Sequence, residues 1–139
     1  MSFHFRLQTV LKVRQRERDV QQQLVAKART VHAKCIADRN LLASHRETVI
    51  GELRSLNEQE AWSLDQVLHR QRHAEQLGHA LAIAEATVVD ASFQLESGIE
   101  RLVIADQSVR ALERLAERQF AEYQDRKTKS AARESTYVG

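Results

Sequence analysis

Every seventh residue from Val67 is apolar for nine steps: Val67, Ala74, Leu81, Val88, Leu95, Leu102, Val109, Ala116 and Tyr123. A straight helix of 3.6 residues per turn drifts by about 20° per heptad. A column that stays in phase this long requires a helix underwound to 3.5 residues per turn and lying against a partner. No proline interrupts the run. A second column, Leu77, Ala84, Ala91, Gly98, Ala105 and Leu112, follows three residues behind and is small in its middle, which allows two backbones to approach closely. At about 1.5 Å per residue the run is roughly 85 Å long, so the sequence predicts a rod.

Composition closes off the alternatives. Charged residues make up 29% of the chain, aromatics only 5%, and four glycines with no proline leave a β or α/β fold nothing to turn with. The expected class is all-α, two long helices in an antiparallel coiled-coil hairpin. Cys35 is the single cysteine, which fits a reducing compartment. The N-terminal residues lack the apolar block of a signal peptide, and no run approaches a membrane span. A soluble, cytoplasmic protein is expected.

The first half of the chain carries its own helical stripe, Leu7, Val10, Leu11, Val13, Val20, Leu24, Ala28, Val31, Cys35, Leu42, Val49, Leu53 and Leu56, with Asp38 and His45 at positions where apolar residues belong. A polar seam residue fixes register at a cost in stability, and Gly51 weakens the same half by about 1 kcal/mol relative to alanine. The only plausible reversal is Leu56-Asn-Glu-Gln-Glu-Ala-Trp62. The chain therefore reads as a single hairpin: helix one over about 5–57, a turn over about 57–62, helix two over about 62–130 and a frayed tail over about 131–139. A short connection makes the helices antiparallel, and a turn centred near Gln59 sets Leu7 against Leu112, Cys35 against Ala84 and His45 against Ala74. Trp62 reads as an apolar plug over the turn.

Charge is uneven along this plan. Residues 1–18 carry five basic and one acidic side chain, 110–139 seven and five, and 19–109 nine and thirteen. A hairpin thus gathers its basic excess where the two termini meet and leaves the acidic excess towards the turn.

Catalytic chemistry is missing: there is no Gly-rich phosphate loop, nucleophile elbow or Cys-x-x-Cys pair, and two helices offer no cleft that excludes water. No cofactor is expected. His69 and His73, four apart, with His45 and His79 nearby, are the best metal candidates, but zinc wants three or four supported ligands and these read as solvated histidines. Lys12, Arg14, Arg16 and Arg18 alternate along a helix and so spread around it, which argues against a nucleic-acid interface.

The opening Phe3-x-Phe-Arg-Leu-Gln-Thr-Val-Leu-x-x-Arg, followed by Glu17 and Leu24, and the later Ala111-Leu-Glu-Arg-Leu-Ala-Glu-Arg-Gln resemble the FliJ family, the small helical-hairpin protein of the bacterial flagellar type III export apparatus. That resemblance implies a non-enzymatic stalk, peripheral to the inner membrane at the flagellar base. Its paired ends would enter the hexameric export ATPase, its far pole would reach the cytoplasmic domain of the export gate, and export chaperones are further partners. It carries the gate contact to Asp38, Leu42, His45 and Val49 on the first helix and to His73, Leu77, Ala80 and Ala84 on the second. Here His45, Val49 and His73 stand where aromatic residues are common in the family. Leu42, Val49, Leu77 and Ala84 are also claimed by the intramolecular seam. For the ATPase contact the basic end offers Arg6, Arg14, Arg114 and Arg118, with Phe3 and Phe5 as apolar anchors or as a cap on the open end. Two other readings remain: a scaffolding coiled coil that dimerises through its open face, and the equivalent stalk of a virulence-type secretion system.

Overall fold

A computed structural model describes residues 3–61 and 63–138. They form two helices, α1 (Gln8–Glu58) and α2 (Leu64–Val138), packed against each other as an antiparallel coiled-coil hairpin. The chain divides into two compact units, each built from a piece of both helices. Unit 1 comprises Met1–Val25 and Gly98–Gly139, and unit 2 comprises Ala26–Ser97.

In unit 2 the reversal lies later than the sequence suggested. α1 ends at Glu58, where the Gln59 amide donates to the Leu56 carbonyl at 3.3 Å, and α2 begins only at Leu64. Ser63 explains the start. Its carbonyl accepts the first intrahelical bond, from the Val67 amide at 3.1 Å, and Ser63-Leu-Asp-Gln66 has the pattern of a capping box, with Asp65 favourably placed in the positive first turn. The turn is therefore centred on Ala61 and not on Gln59. Cross-helix contacts inside each unit share this centre: Phe3 with Phe120 and Val25 with Gly98 in unit 1, Glu52 with Arg70 and Arg46 with Gly78 in unit 2. Cys35, half-buried and free, accordingly falls level with Val88 and not Ala84. Trp62 lies outside the described residues, and so does the plug role expected of it. At the other end α2 stays helical to Val138, so the tail expected from about residue 131 is part of the helix.

Both α2 columns do what their spacing predicts. Every member of the Val67 column and every member of the Leu77 column is buried or half-buried, and Val67, Leu77, Ala91 and Val109 are the buried ones, Val109 completely. Gly98 packs beside Val25, which is 3% exposed: a β-carbon there would make an ordinary contact, 3.5 Å from a Val25 methyl. Unit 1 has a further apolar cluster at the chain termini, where Phe5, Leu11 and Val109 are buried and Phe3, Leu7, Leu112, Leu115 and Ala116 pack around them.

The α1 stripe needs correction. Leu11, Val25, Val49 and Leu56 are buried, but Val10, Val13, Val20, Leu24 and Val31 are exposed, and so are Asp38 and His45. The seam of α1 instead follows Leu11, Arg18, Val25, His32, Arg39, Arg46 and Leu53 at seven-residue intervals, with Ala28, Cys35, Leu42, Val49 and Leu56 as its second column, all buried or half-buried. Arginine can occupy such positions because its methylene stem covers apolar surface while the guanidinium reaches out. A column containing three arginines and a histidine reads as solvent-facing in sequence, and the valine-rich face beside it reads as core.

Candidate functional site

Two surfaces carry the residues singled out above, one in each unit. The unit 1 surface starts with the segment before α1. The Phe5 carbonyl accepts the Gln8 amide at 3.1 Å, fixing the entry to the helix, and this turn directs Phe5 into the cluster with Leu11 and Val109. Phe3 packs on α2, its ring 5.1 Å from Phe120 in an edge-on arrangement and 5.6 Å from Tyr123, distances at which aromatic pairs attract beyond simple burial. Phe5, at 5% exposure, is enclosed. Of the two phenylalanines only Phe3 offers partly accessible surface.

The four arginines expected at the ATPase contact, Arg6, Arg14, Arg114 and Arg118, are all exposed. Arg14 donates to Glu17 at 3.0 Å, and the Arg114 Nε donates to the Arg110 carbonyl at 3.3 Å. Exposed bonds of this kind are worth about 0–1 kcal/mol, so they cost little to exchange for a partner's carboxylate. Arg18, by contrast, belongs to the seam, with its Nη2 3.6 Å from Asp19 and its Nε lacking a hydrogen-bond partner. By residue count unit 1 carries thirteen basic and nine acidic side chains, and unit 2 eight and ten. The basic excess is thus confined to unit 1.

In unit 2, His45 and His73 meet across the two helices with ring centroids 5.2 Å apart and planes at 81°. His45 is exposed and His73 half-buried, Asp38 is exposed, and Ala80 is half-buried. These four lie along one flank of the hairpin. Of the remaining expected gate residues, Val49 and Leu77 are buried and Leu42 and Ala84 half-buried. The competition between seam and gate therefore goes to the seam for Val49 and Leu77, which a partner could reach only by opening the helix pair. Glu52 and Arg70 form an ion pair between the helices nearby.

Arg46 is a half-buried seam residue that hydropathy alone does not mark. Its guanidinium lies over Gly78, where a β-carbon would come within 3.4 Å of Nε, and that Nε has no hydrogen-bond partner. The signal was available in the seven-residue spacing from Leu11, but polarity masked it. The histidines do not assemble further: among the described residues no three His, Cys, Asp or Glu side chains are placed to hold one metal ion. Nor is any described helix long and apolar enough to cross a membrane.

A hairpin of two long helices with a basic, aromatic-sealed unit at its termini defines an all-α coiled-coil protein. The family model described as "Flagellar FliJ protein" matches residues 3–135, and the chain belongs to that family, a component of the flagellar type III export apparatus. No curated protein matches the sequence. Among solved structures the chain is similar to a Chlamydia trachomatis protein described as "a putative YscO homolog", with TM-score 0.61 and 16% identity, over 96% of this chain and 88% of that one. At that identity the likeness shows the fold: two helices in the same arrangement.

Proposed function

We propose that this chain is a non-enzymatic stalk of the export apparatus, which binds and stimulates the export ATPase through unit 1 and contacts the export gate through the flank of unit 2 that carries Asp38, His45, His73 and Ala80. The observation that carries the reading is the charge division inside a FliJ-family hairpin: the basic excess sits in the unit that holds both chain termini. A ring of ATPase subunits gripping this unit would meet Arg6, Arg14, Arg114 and Arg118 around an aromatic seal made by Phe3 on Phe120. Electrostatic complementarity of this sort speeds encounter and selects the partner more than it adds affinity. Leu42, Val49, Leu77 and Ala84 support the gate surface from within the seam. Escort of export chaperones belongs to the same reading, as does a place in the cytoplasm beside the inner membrane.

The test is to mix the purified chain with its cognate export ATPase and follow hexamer formation and ATP hydrolysis. Stimulation by the chain is the expected result. An ATPase whose assembly and turnover ignore the chain would favour the scaffolding coiled coil instead.

A further inference from the structure

Within unit 2, the face of α2 turned away from α1 is unusually apolar. Ile83, Val89 and Phe93 are 69%, 56% and 64% exposed, and Ala82 and Ala86 are exposed beside them. Ala82, Ala86, Val89 and Phe93 follow the four-three-four spacing of a coiled-coil seam, a second seam on a helix whose first is already occupied. His79 and Glu96, both exposed, extend the same line by one step at each end.

We infer that this face is a self-association surface, on which α2 of a second copy of the chain packs antiparallel about a two-fold axis passing between Thr87 and Val88. The argument is complementarity under that symmetry. An isologous interface must match its own surface, and this axis sets Ala82 against Phe93 of the second copy and Ala86 against Val89. Each large side chain meets a small one, as interdigitating layers require. The same axis sets His79 against Glu96, a ring N–H donor against a carboxylate acceptor at each end of the patch. Beside the seam, the same axis sets Ile83 against Ser92 and brings Glu85 level with Asp90 of the second copy, a like-charge pair that weakens the contact. The patch covers only five helical turns, far less than a standard stable interface. The association is therefore weak and depends on protein concentration.

Sedimentation equilibrium of the full chain over a wide concentration range tests this. The wild-type chain is expected to show a reversible monomer–dimer equilibrium. Ala86→Glu places a charge in the centre of the apolar layers and should weaken dimerisation by roughly tenfold or more, with helix content unchanged by circular dichroism. Glu96→Lys should weaken it too, and the exchange His79→Glu with Glu96→Lys in one chain should restore it. A chain that stays monomeric throughout overturns the proposal and leaves the face to a different protein. A dimer indifferent to Ala86→Glu and Glu96→Lys overturns it as well, because the copies then meet elsewhere.

Discussion

His45 of α1 and His73 of α2 touch edge to face, 5.2 Å between ring centroids, although neither belongs to the seam that holds their helices together. They are flank residues, and the accessible side of the pair continues into Asp38 and Ala80. Replacing His73 and Ala80 together with glutamate adds charge to this flank without touching the buried Leu77. Binding to the export gate should fall while helix content and melting temperature hold. Undiminished gate binding by the folded double variant would remove this flank from the site.

Gly51 lies in the interior of α1 with nothing within 4 Å of a β-carbon added there, and no glycine among the described residues has positive φ. Alanine at this position loses no contact and restricts the unfolded chain, so Gly51→Ala should stabilise by roughly 0.5–1 kcal/mol. Urea denaturation followed by circular dichroism would register this as a higher midpoint at constant slope. A lower midpoint would mean that the helix needs the glycine.

The two helices were unequally legible in the sequence, and the reason is physical. In α2 the heptad columns are apolar or small at every step, so the period alone identifies the buried face. In α1 the seam passes through Arg18, His32, Arg39 and Arg46, while Val10, Val13, Val20, Leu24 and Val31 line a neighbouring face that solvent reaches. Hydropathy cannot tell an arginine whose stem lies in a seam from one that is fully solvated. The register differs for a related reason: the first stripe stops near Leu56, but Ser63 and Gln66 mark where the second helix is capped. The site follows the same division: spacing brings His45 and His73 together and assigns Val49 and Leu77 to the seam, where they are buried, whereas only the family resemblance places those two at the gate.

Arg46 gives a test of this seam. Its Nε has no hydrogen-bond partner, and its guanidinium lies over Gly78. Removing a half-buried, incompletely satisfied charge in favour of an apolar side chain is often neutral or stabilising, and polar seam residues serve register more than stability. Arg46→Leu should therefore raise stability by about 1 kcal/mol in the same denaturation experiment. A loss of similar size would mean that the guanidinium makes a favourable contact that outweighs its desolvation.

Val109 is fully enclosed, and Val103, six residues earlier on the same helix, is 49% exposed. Val109→Ala removes two methyl groups from the cluster with Phe5 and Leu11 and should cost about 2–3 kcal/mol, whereas Val103→Ala should cost well under 1 kcal/mol. Leu81 and Leu95, half-buried members of the same column as Val109, should fall between the two on truncation. Equal melting temperatures for the Val109 and Val103 variants would show that the column does not face the seam.

The arginines of unit 1 provide the sharpest test of the stalk. Arg6, Arg14, Arg114 and Arg118 are exposed, and none holds the apolar cluster together, which is built from Phe5, Leu11 and Val109 with Phe3, Leu7, Leu112, Leu115 and Ala116. Each exposed ion pair with an ATPase carboxylate is worth about 0–1 kcal/mol, so the grip must be shared and must weaken as salt screens it. Reversing all four to glutamate turns the excess of unit 1 from basic to acidic and should abolish stimulation of the ATPase without unfolding the helices. Phe3→Ala removes the ring that seals α1 to α2 at Phe120 and Tyr123; it should reduce stimulation together with local stability, and charge reversal should leave stability unchanged. Full stimulation by the fourfold arginine variant would place the ATPase contact on another surface of the chain.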